Sequence, residues 1–268
     1  MAEQYPKTVV CQVLQVARSS HYYRPQTPDE SALKDAIREV CARYPRYGYR
    51  RVTAELHRRR WLVNRKRVAR LMTEMGLQAK KVVRKRRTTN SNHPFPRFPN
   101  LVQYLVVQRP DQVWVADITY LKVGTIYRYL AVVMDRCSRR IIGWAFGQQK
   151  NVALTLRALN SAVSKRRPPP GLIFHTDRGI EYYANAFRAR LAQLNITQSM
   201  NRPGKVTDNA FMESFFHSMK ADVIHGNKFN EDSQMLSVLR GYIPFYNHSR
   251  IHSSLNYVSP ATYENRLA

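Results

Sequence analysis

Apolar positions in the first eighty residues recur at three- and four-residue intervals, the period of helices with one buried face. Lys7 to Ala17 reads as a short amphipathic helix, and Asp29 to Arg43 as a second with Leu33, Ile37 and Val40 inward. Tyr44 to Gly48 breaks the pattern. It resumes over Tyr49 to Arg60, with Val52 and Leu56 inward, and over Asn64 to Met75, where Val68, Leu71 and Met72 line one side. Asn64 is a suitable cap for that last helix, and Gly76 sits where a helix stop is expected. Two helices joined by a turn, the second carrying Arg65, Lys66, Arg67 and Arg70 around its apolar stripe, match a helix-turn-helix whose second helix could enter a major groove. A small helical bundle with merely solvated charges would show the same pattern.

From Gln112 the period changes. The segments QVWVADITYLKV, TIYRYLAVVMD and RRIIGWAFG are β-branched and aromatic runs separated by turn residues, and predict three strands in meander order. Asn151 to Arg166 is helical, with Leu154, Leu156, Leu159 and Val163 inward. A proline-rich break leads to LIFHTD as a short buried strand, then Tyr182 to Leu194 as a helix and Ile196 to Met200 as a strand. A helix from Asp208, its expected cap, runs to about Ile224. The order βββαβαβα predicts an α/β fold with a ribonuclease H-like mixed sheet flanked by helices, preceded by a small all-α helix-turn-helix domain. The expected division is 1–78 for the helical region, 79–107 for a linker and 108–268 for the core with a helical tail.

Charge decides the partner. The chain has 44 Lys and Arg against 18 Asp and Glu, a formal net charge of +26, far beyond what solubility requires. Residues 1–100 hold 23 basic and 7 acidic side chains, so positive charge is densest at the front. Between Glu74 and Asp111 there is no acid, and Lys80, Lys81, Arg84, Lys85, Arg86 and Arg87 cluster there, a composition suited to tracking a phosphate backbone. No run of eighteen apolar residues exists and the start lacks a signal-peptide core, so the expectation is a cytoplasmic protein with a nucleic-acid partner and no membrane partner. Cys11, Cys41 and Cys137 are widely spaced and form neither a disulfide framework nor a zinc motif, which leaves oxygen ligands for any metal.

Three acids stand where such ligands would converge. Asp117 lies mid-strand in WVADITYL, alternating with the apolar Val115, where a bare charge is expensive. Asp177 ends the LIFH strand, at the edge of an α/β sheet where ligands bind. Glu213 lies on the helix opened by Asp208 and shares a face with His217 and Lys220; Lys220 is either a surface partner of Glu213 two turns on or a cation that grips a phosphate near the cut. Together the three carboxylates would hold two Mg²⁺ ions, for which Mn²⁺ can stand in, and clamp both oxygens of a phosphodiester displacement. Other acids have duller expected roles: Asp135 fixes the turn into Ser138, and Glu181 starts a helix.

WVADITYL, FHTDRGIEY and DNAFMESFFHSMKAD resemble the three catalytic blocks of the downstream-frame (OrfB) transposases of the insertion sequence 3 family, relatives of retroviral integrases. Between Asp177 and Glu213 lie 35 residues, the spacing that gives the family its D,D(35)E name. YPRYGYRRVTAELHRRRWLVNRKRVARLMTEMGL resembles the family's helix-turn-helix segment and YNHSRIHSSLNYVSPATY its C-terminal signature, so the likeness covers nearly the whole chain. Ile180-Glu181 replaces the Ser-Gln often found after the second block. The resemblance implies binding of double-stranded DNA at an element's terminal inverted repeats and at a target, hydrolysis that frees a 3′-OH, and attack of that hydroxyl on another phosphodiester. It also implies a homo-oligomer on DNA, and an upstream-frame OrfA segment as fusion or partner, because no heptad pattern persists long enough here for a dimerising coiled coil. Two other readings compete: a ribonuclease H-like nuclease that cuts without joining, for which the basic front would be superfluous, and a DNA-binding regulator whose core is only a scaffold.

Overall fold

A computed structural model of the chain describes residues 5–23, 29–79, 98–202 and 209–267. The front is helical: α1 (Lys7–Val13), α2 (Arg18–Tyr22), α3 (Ser31–Arg43), α4 (Tyr49–Arg58) and α5 (Arg65–Glu74). The expected helix over Lys7 to Ala17 is shorter, because the chain turns after Val13 and starts α2 at Arg18. The helices α3, α4 and α5 bury Leu33, Ile37, Val40, Val52, Leu56, Val68, Leu71 and Met72 together, the stripe read from the sequence. Asn64 caps α5 by accepting the Lys66 N–H at 2.8 Å, and Gly76 takes a φ of +68° just past its end.

The core sheet runs in the order β3-β2-β1-β4-β5, with β1 (Val113–Val123), β2 (Ile126–Asp135) and β3 (Ile141–Gly147) antiparallel and β4 (Ile173–Thr176) and β5 (Thr197–Met200) added in parallel to β1. Alternation along β1 sends Val113, Val115, Leu121 and Val123 to one face and Trp114 and Ala116 to the other. The second face is covered by α6 (Val152–Arg166), α7 (Ile180–Tyr183) and α8 (Asn185–Gln193); the first by α9 (Ala210–Met219) and α10 (Asp232–His248). Gly143 lets α6 approach, since a Cβ there would stand 2.3 Å from the Ala158 carbonyl oxygen. In α6, Leu154 and Leu159 are fully buried, whereas Leu156 and Val163 only border the core.

Two expected helices are interrupted. Tyr182 to Leu194 is split at Ala184, whose extended backbone (ψ 137°) ends α7 and begins α8. The helix through Glu213 starts at Ala210 and gives way at Lys220–Ile224 to a π-helical turn. Asp208, its expected cap, lies outside the described residues, as do Lys80, Lys81, Arg84, Lys85, Arg86 and Arg87.

The C-terminal segment ties these pieces together. Asn247 pairs with both backbone groups of Ile141 at 2.8 Å, an edge-like pairing that anchors α10 to β3. Ile251 enters the helical core of α3, α4 and α5, where its N–H donates to the Tyr47 hydroxyl at 3.0 Å. In α11 (Pro260–Glu264), the buried Glu264 accepts from Arg140 (2.7 Å) and Arg166 (2.6 Å), and Arg166 also holds Asp111 at the mouth of β1. Among the described residues, no helix is long and apolar enough to cross a membrane.

Burial alone would raise the Glu264 pKa, but the Arg166 and Arg140 guanidiniums outweigh it and hold the carboxyl below its ordinary range. The carboxylate therefore stabilises the fold above the usual Glu pKa, and that stabilisation is lost as pH falls through the lowered value. Glu264→Gln should cost about 2 kcal/mol in urea unfolding at neutral pH, between exposed and buried ion pairs. The gap from wild type should close on acidification; a gap that widened would refute this account.

Candidate active site

The ladder between β1 and β4 sets the site. Ala116 pairs with Thr176 in parallel register, so the next residue on each strand, Asp117 and Asp177, stand beside one another. By the two-residue alternation both belong to the face covered by α9. Asp117 lies opposite Val132 of β2 and accepts the Ile118 N–H at 2.7 Å. Asp177 accepts the Gly179 N–H at 3.0 Å. Gly179 leaves room for both carboxylates beside it: a Cβ there would stand 2.9 Å from Glu181 Oε2 and 3.1 Å from Asp177 Oδ1 and would displace those side-chain ends.

Burial, and then the charge of Asp177, push the Asp117 carboxyl well above its usual range, while the Ile118 N–H and the ammonium groups of Lys150 and Lys220 pull the other way. Two carboxylates thus share a desolvated place that two lysines only partly neutralise. Tyr182, 2 % exposed, lies near both; burial and these carboxylates push its phenol far up, which removes it as a nucleophile. Cys137, pushed up to about 11 by burial, is likewise unreactive.

Asn209, 3 % exposed, donates from Nδ2 to the Ala116 carbonyl at 3.1 Å and so fastens the start of α9 beside Asp117. Glu213 lies four residues on, one turn along the same helix face. Among the described residues, no three His, Cys, Asp or Glu side chains stand close enough to share a metal ion. The structure therefore brings Asp117 and Asp177 together, and sets Glu213 on the helix fastened beside them.

Lys220 follows from the end of α9. Its ammonium lies 4.7 Å from the Tyr120 ring centroid and within the field of Asp117, while burial pulls its pKa down. The π-helical turn that it opens is held through Asp222, which accepts from Arg250 (2.7 Å) and the Tyr242 hydroxyl (2.8 Å). Asp135, fully buried, accepts the Ser138 N–H and hydroxyl and so fixes the turn after β2, the role expected for it. Glu181 is more than a helix start: it is 5 % exposed and its carboxylate lies 3.4 Å from Lys150.

Lys150 and Asn209 were not singled out from the sequence. Lys150 sits in a polar turn where a lysine is ordinary, and only the fold carries it to Asp117. Asn209 is part of the DNAFMES block, so its block was visible although its role was not. On the helix-turn-helix, Arg65 and Lys66 are exposed, but Arg67 and Arg70 both hold Glu30 at 2.7 Å and contribute to the packing of α5 on the start of α3.

Models of known families match three segments: an HTH-like domain over residues 28–87 and integrase core domains over residues 107–206 and 194–260. The chain is 35% identical to transposase InsF for insertion sequence IS3A of Escherichia coli (strain K12), over 96% of this chain and 93% of that protein. It is 38% identical to the insertion element IS600 uncharacterized 31 kDa protein of Shigella sonnei, over 96% and 98%. In shape it is similar to a chain of the simian T-cell lymphotropic virus intasome solved in complex with PP2A regulatory subunit B56 gamma, with a TM-score of 0.50 and 16% identity over 85% of this chain and 74% of that one, a likeness of fold. An HTH-like helical module followed by a ribonuclease H-like integrase core, matched nearly end to end by these relatives, makes the protein a member of the insertion sequence 3 family of DNA transposases, enzymes of the DDE type.

Proposed function

We propose that Asp117, Asp177 and Glu213 form the catalytic centre of this transposase, and that the centre works on the ends of an insertion element. The observation that carries the reading is the parallel register that sets Asp117 and Asp177 side by side, half-buried and mutually repelling, under a helix latched by Asn209. An all-oxygen, doubly negative donor pair fits a hard divalent cation, and two Mg²⁺ ions, or Mn²⁺ in their place, would be shared with Glu213. Such ions supply an activated attacking oxygen and stabilise charge at phosphorus.

The chain's own groups do the rest. Asn209 fixes the distance from Glu213 to β1, Gly179 lets the Asp177 turn close, and Lys220 stands where a phosphate oxygen beside the carboxylates would need a cation. Water attacks phosphorus in the first step and a 3′-OH leaves; in the second that hydroxyl attacks another phosphodiester and displaces a DNA oxygen. Both are displacements of one oxygen by another, so one site serves both. In this reading residues 1–78 recognise the element end, with Arg65 and Lys66 facing DNA, 79–107 track the backbone, and 108–268 carry the chemistry. The protein works as an oligomer on DNA in the bacterial cytoplasm at the nucleoid, and pairs with an upstream-frame segment.

Replacing Asp117 by Asn, Asp177 by Asn or Glu213 by Gln should each lower cleavage and joining of a labelled element end in Mg²⁺ by about a thousandfold or more, while gel-shift affinity for DNA persists. Strand cleavage retained by any of the three would remove that residue from the centre. A second outcome concerns stability: in EDTA, Asp117→Asn should melt about 2–4 °C above wild type, because it relieves a buried repulsion of roughly 1 kcal/mol. Added Mg²⁺ should raise the wild-type melting temperature and leave the variant's unchanged. A variant melting below wild type in EDTA would show that the pair is not strained. Finally, fusion to an upstream-frame product should tighten binding to an element end relative to a scrambled duplex, since linkage raises effective concentration. Equal discrimination by this chain alone, in gel shifts at one salt concentration, would make that partner unnecessary.

A further inference from the structure

A second cationic cluster lies away from the carboxylates, in the turn between β2 and β3. Arg139 adopts the left-handed conformation (φ 63°) and lays its guanidinium 3.7 Å from the ring centroid of Phe211; Arg136 approaches the same ring at 5.2 Å. Both side chains are half-buried. The ring contact favours each cation, but two like charges on one ring still repel. Arg136 also donates to the Val102 carbonyl at 3.0 Å. The acids whose charge reaches this turn, Asp135 and Glu264, are engaged elsewhere: Asp135 by the Asp111 N–H and by Ser138, Glu264 by Arg140 and Arg166. Among the described residues, no carboxylate forms an ion pair with Arg136 or Arg139. Burial lowers both guanidiniums, Arg139 to about 10, and the Arg136 charge adds to the lowering of Arg139.

Desolvated cations without a counter-charge are costly, and an anion from outside relieves the cost. A cavity of about 320 Å³ lies against the cluster, with Val107, Ser254 and Tyr263 also on its walls. Paired planar guanidiniums match phosphate oxygens, which accept two parallel N–H donors from each. Phe211 precedes Glu213 by two residues, roughly 200° around α9. The cluster thus faces away from the catalytic side of that helix, and suits a strand that has passed the cut rather than the cut itself.

We propose that Arg136 and Arg139, stacked on Phe211, form a separate DNA-backbone site that holds a phosphodiester outside the scissile position, with the Ser254 and Tyr263 segment as its far wall. The proposal rests on DNA being the substrate, and its placement outside the scissile position rests on Glu213 belonging to the catalytic centre, whereas the contact of Arg136 and Arg139 with a phosphate is tested independently of that centre.

The test uses the full chain in EDTA, so that binding is read without catalysis. Phenylglyoxal modifies accessible arginines, and mass spectrometry would follow Arg136 and Arg139 in wild-type protein alone, with saturating duplex DNA, and with inorganic phosphate at matched ionic strength. Both should be protected by DNA and not by phosphate alone. In parallel, Arg136→Gln and Arg139→Gln should each make the dependence of log K on log salt shallower by about 0.9, the value of one phosphate contact. Lys165→Gln, an equal charge loss on the exposed side of α6, should leave the slope unchanged. Unaltered reactivity under DNA overturns the proposal, as does protection by inorganic phosphate with unaltered slopes. Should Arg139→Gln fail to fold, as judged by thermal melting, the wild-type protection and the Arg136→Gln slope still decide it.

Discussion

Two carboxylates on neighbouring parallel strands are the constraint around which the rest is arranged. Parallel pairing at Ala116 and Thr176 leaves no freedom in where the next residues go, so Asp117 and Asp177 face each other at the point where β4 ends and β1 continues. Left alone, that arrangement opposes folding, because it buries one charge against another. The surroundings answer it from two sides: Lys150 and Lys220 bring positive charge, and the Ile118 and Gly179 N–H groups bind one oxygen of each acid, while Asn209 fastens the helix that carries Glu213 beside them. A cation placed there would relieve the repulsion that the protein only partly offsets.

The C-terminal segment acts as a brace for this arrangement. Asn247 joins α10 to the edge strand β3, Arg250 fixes Asp222 and with it the π-helical turn at Lys220, and Glu264 closes a network with Arg140, Arg166 and Asp111 at the entrance to β1. Ile251 enters the core of the front helices at the same time. A residue more than thirty positions beyond Glu213 therefore helps to place a lysine seven positions after it, and the position of the front helices is coupled to the same turn of chain.

The sheet and most helices were legible in the sequence because their periods differ and their boundaries carry turn chemistry: Asn64 caps where expected, Gly76 stops α5, and β1, β2 and β3 follow their β-branched runs. The placement of Asp117 on a strand, Asp177 at a strand end and Glu213 on a helix was legible from the same periods. What escaped depends on distant parts of the chain. The break at Ala184 and the π-helical turn after Met219 have no local breaker residue, and are set by how Tyr182 packs and by the Asp222 contacts. Lys150 and Asn209 are ordinary in sequence, and acquire roles only through partners 33 and 93 residues away.

Charge was the least local signal and the most easily over-read. A net charge of +26 points to a polyanion, yet many of the arginines behind it are internal fasteners: Arg67 and Arg70 hold Glu30, Arg128 holds Asp232, Arg166 spans Asp111 and Glu264, and Arg250 holds Asp222. Such pairs cancel at a distance and offer little to a phosphate. Among the described residues, Arg65 and Lys66 at the start of α5 stand exposed, and Arg136 and Arg139 on Phe211 have no carboxylate partner, so these cations, unlike the fasteners, keep their charge available. Net charge therefore reports on the partner class, whereas the cations open to a phosphate are told apart only by which of them the fold pairs with an acid.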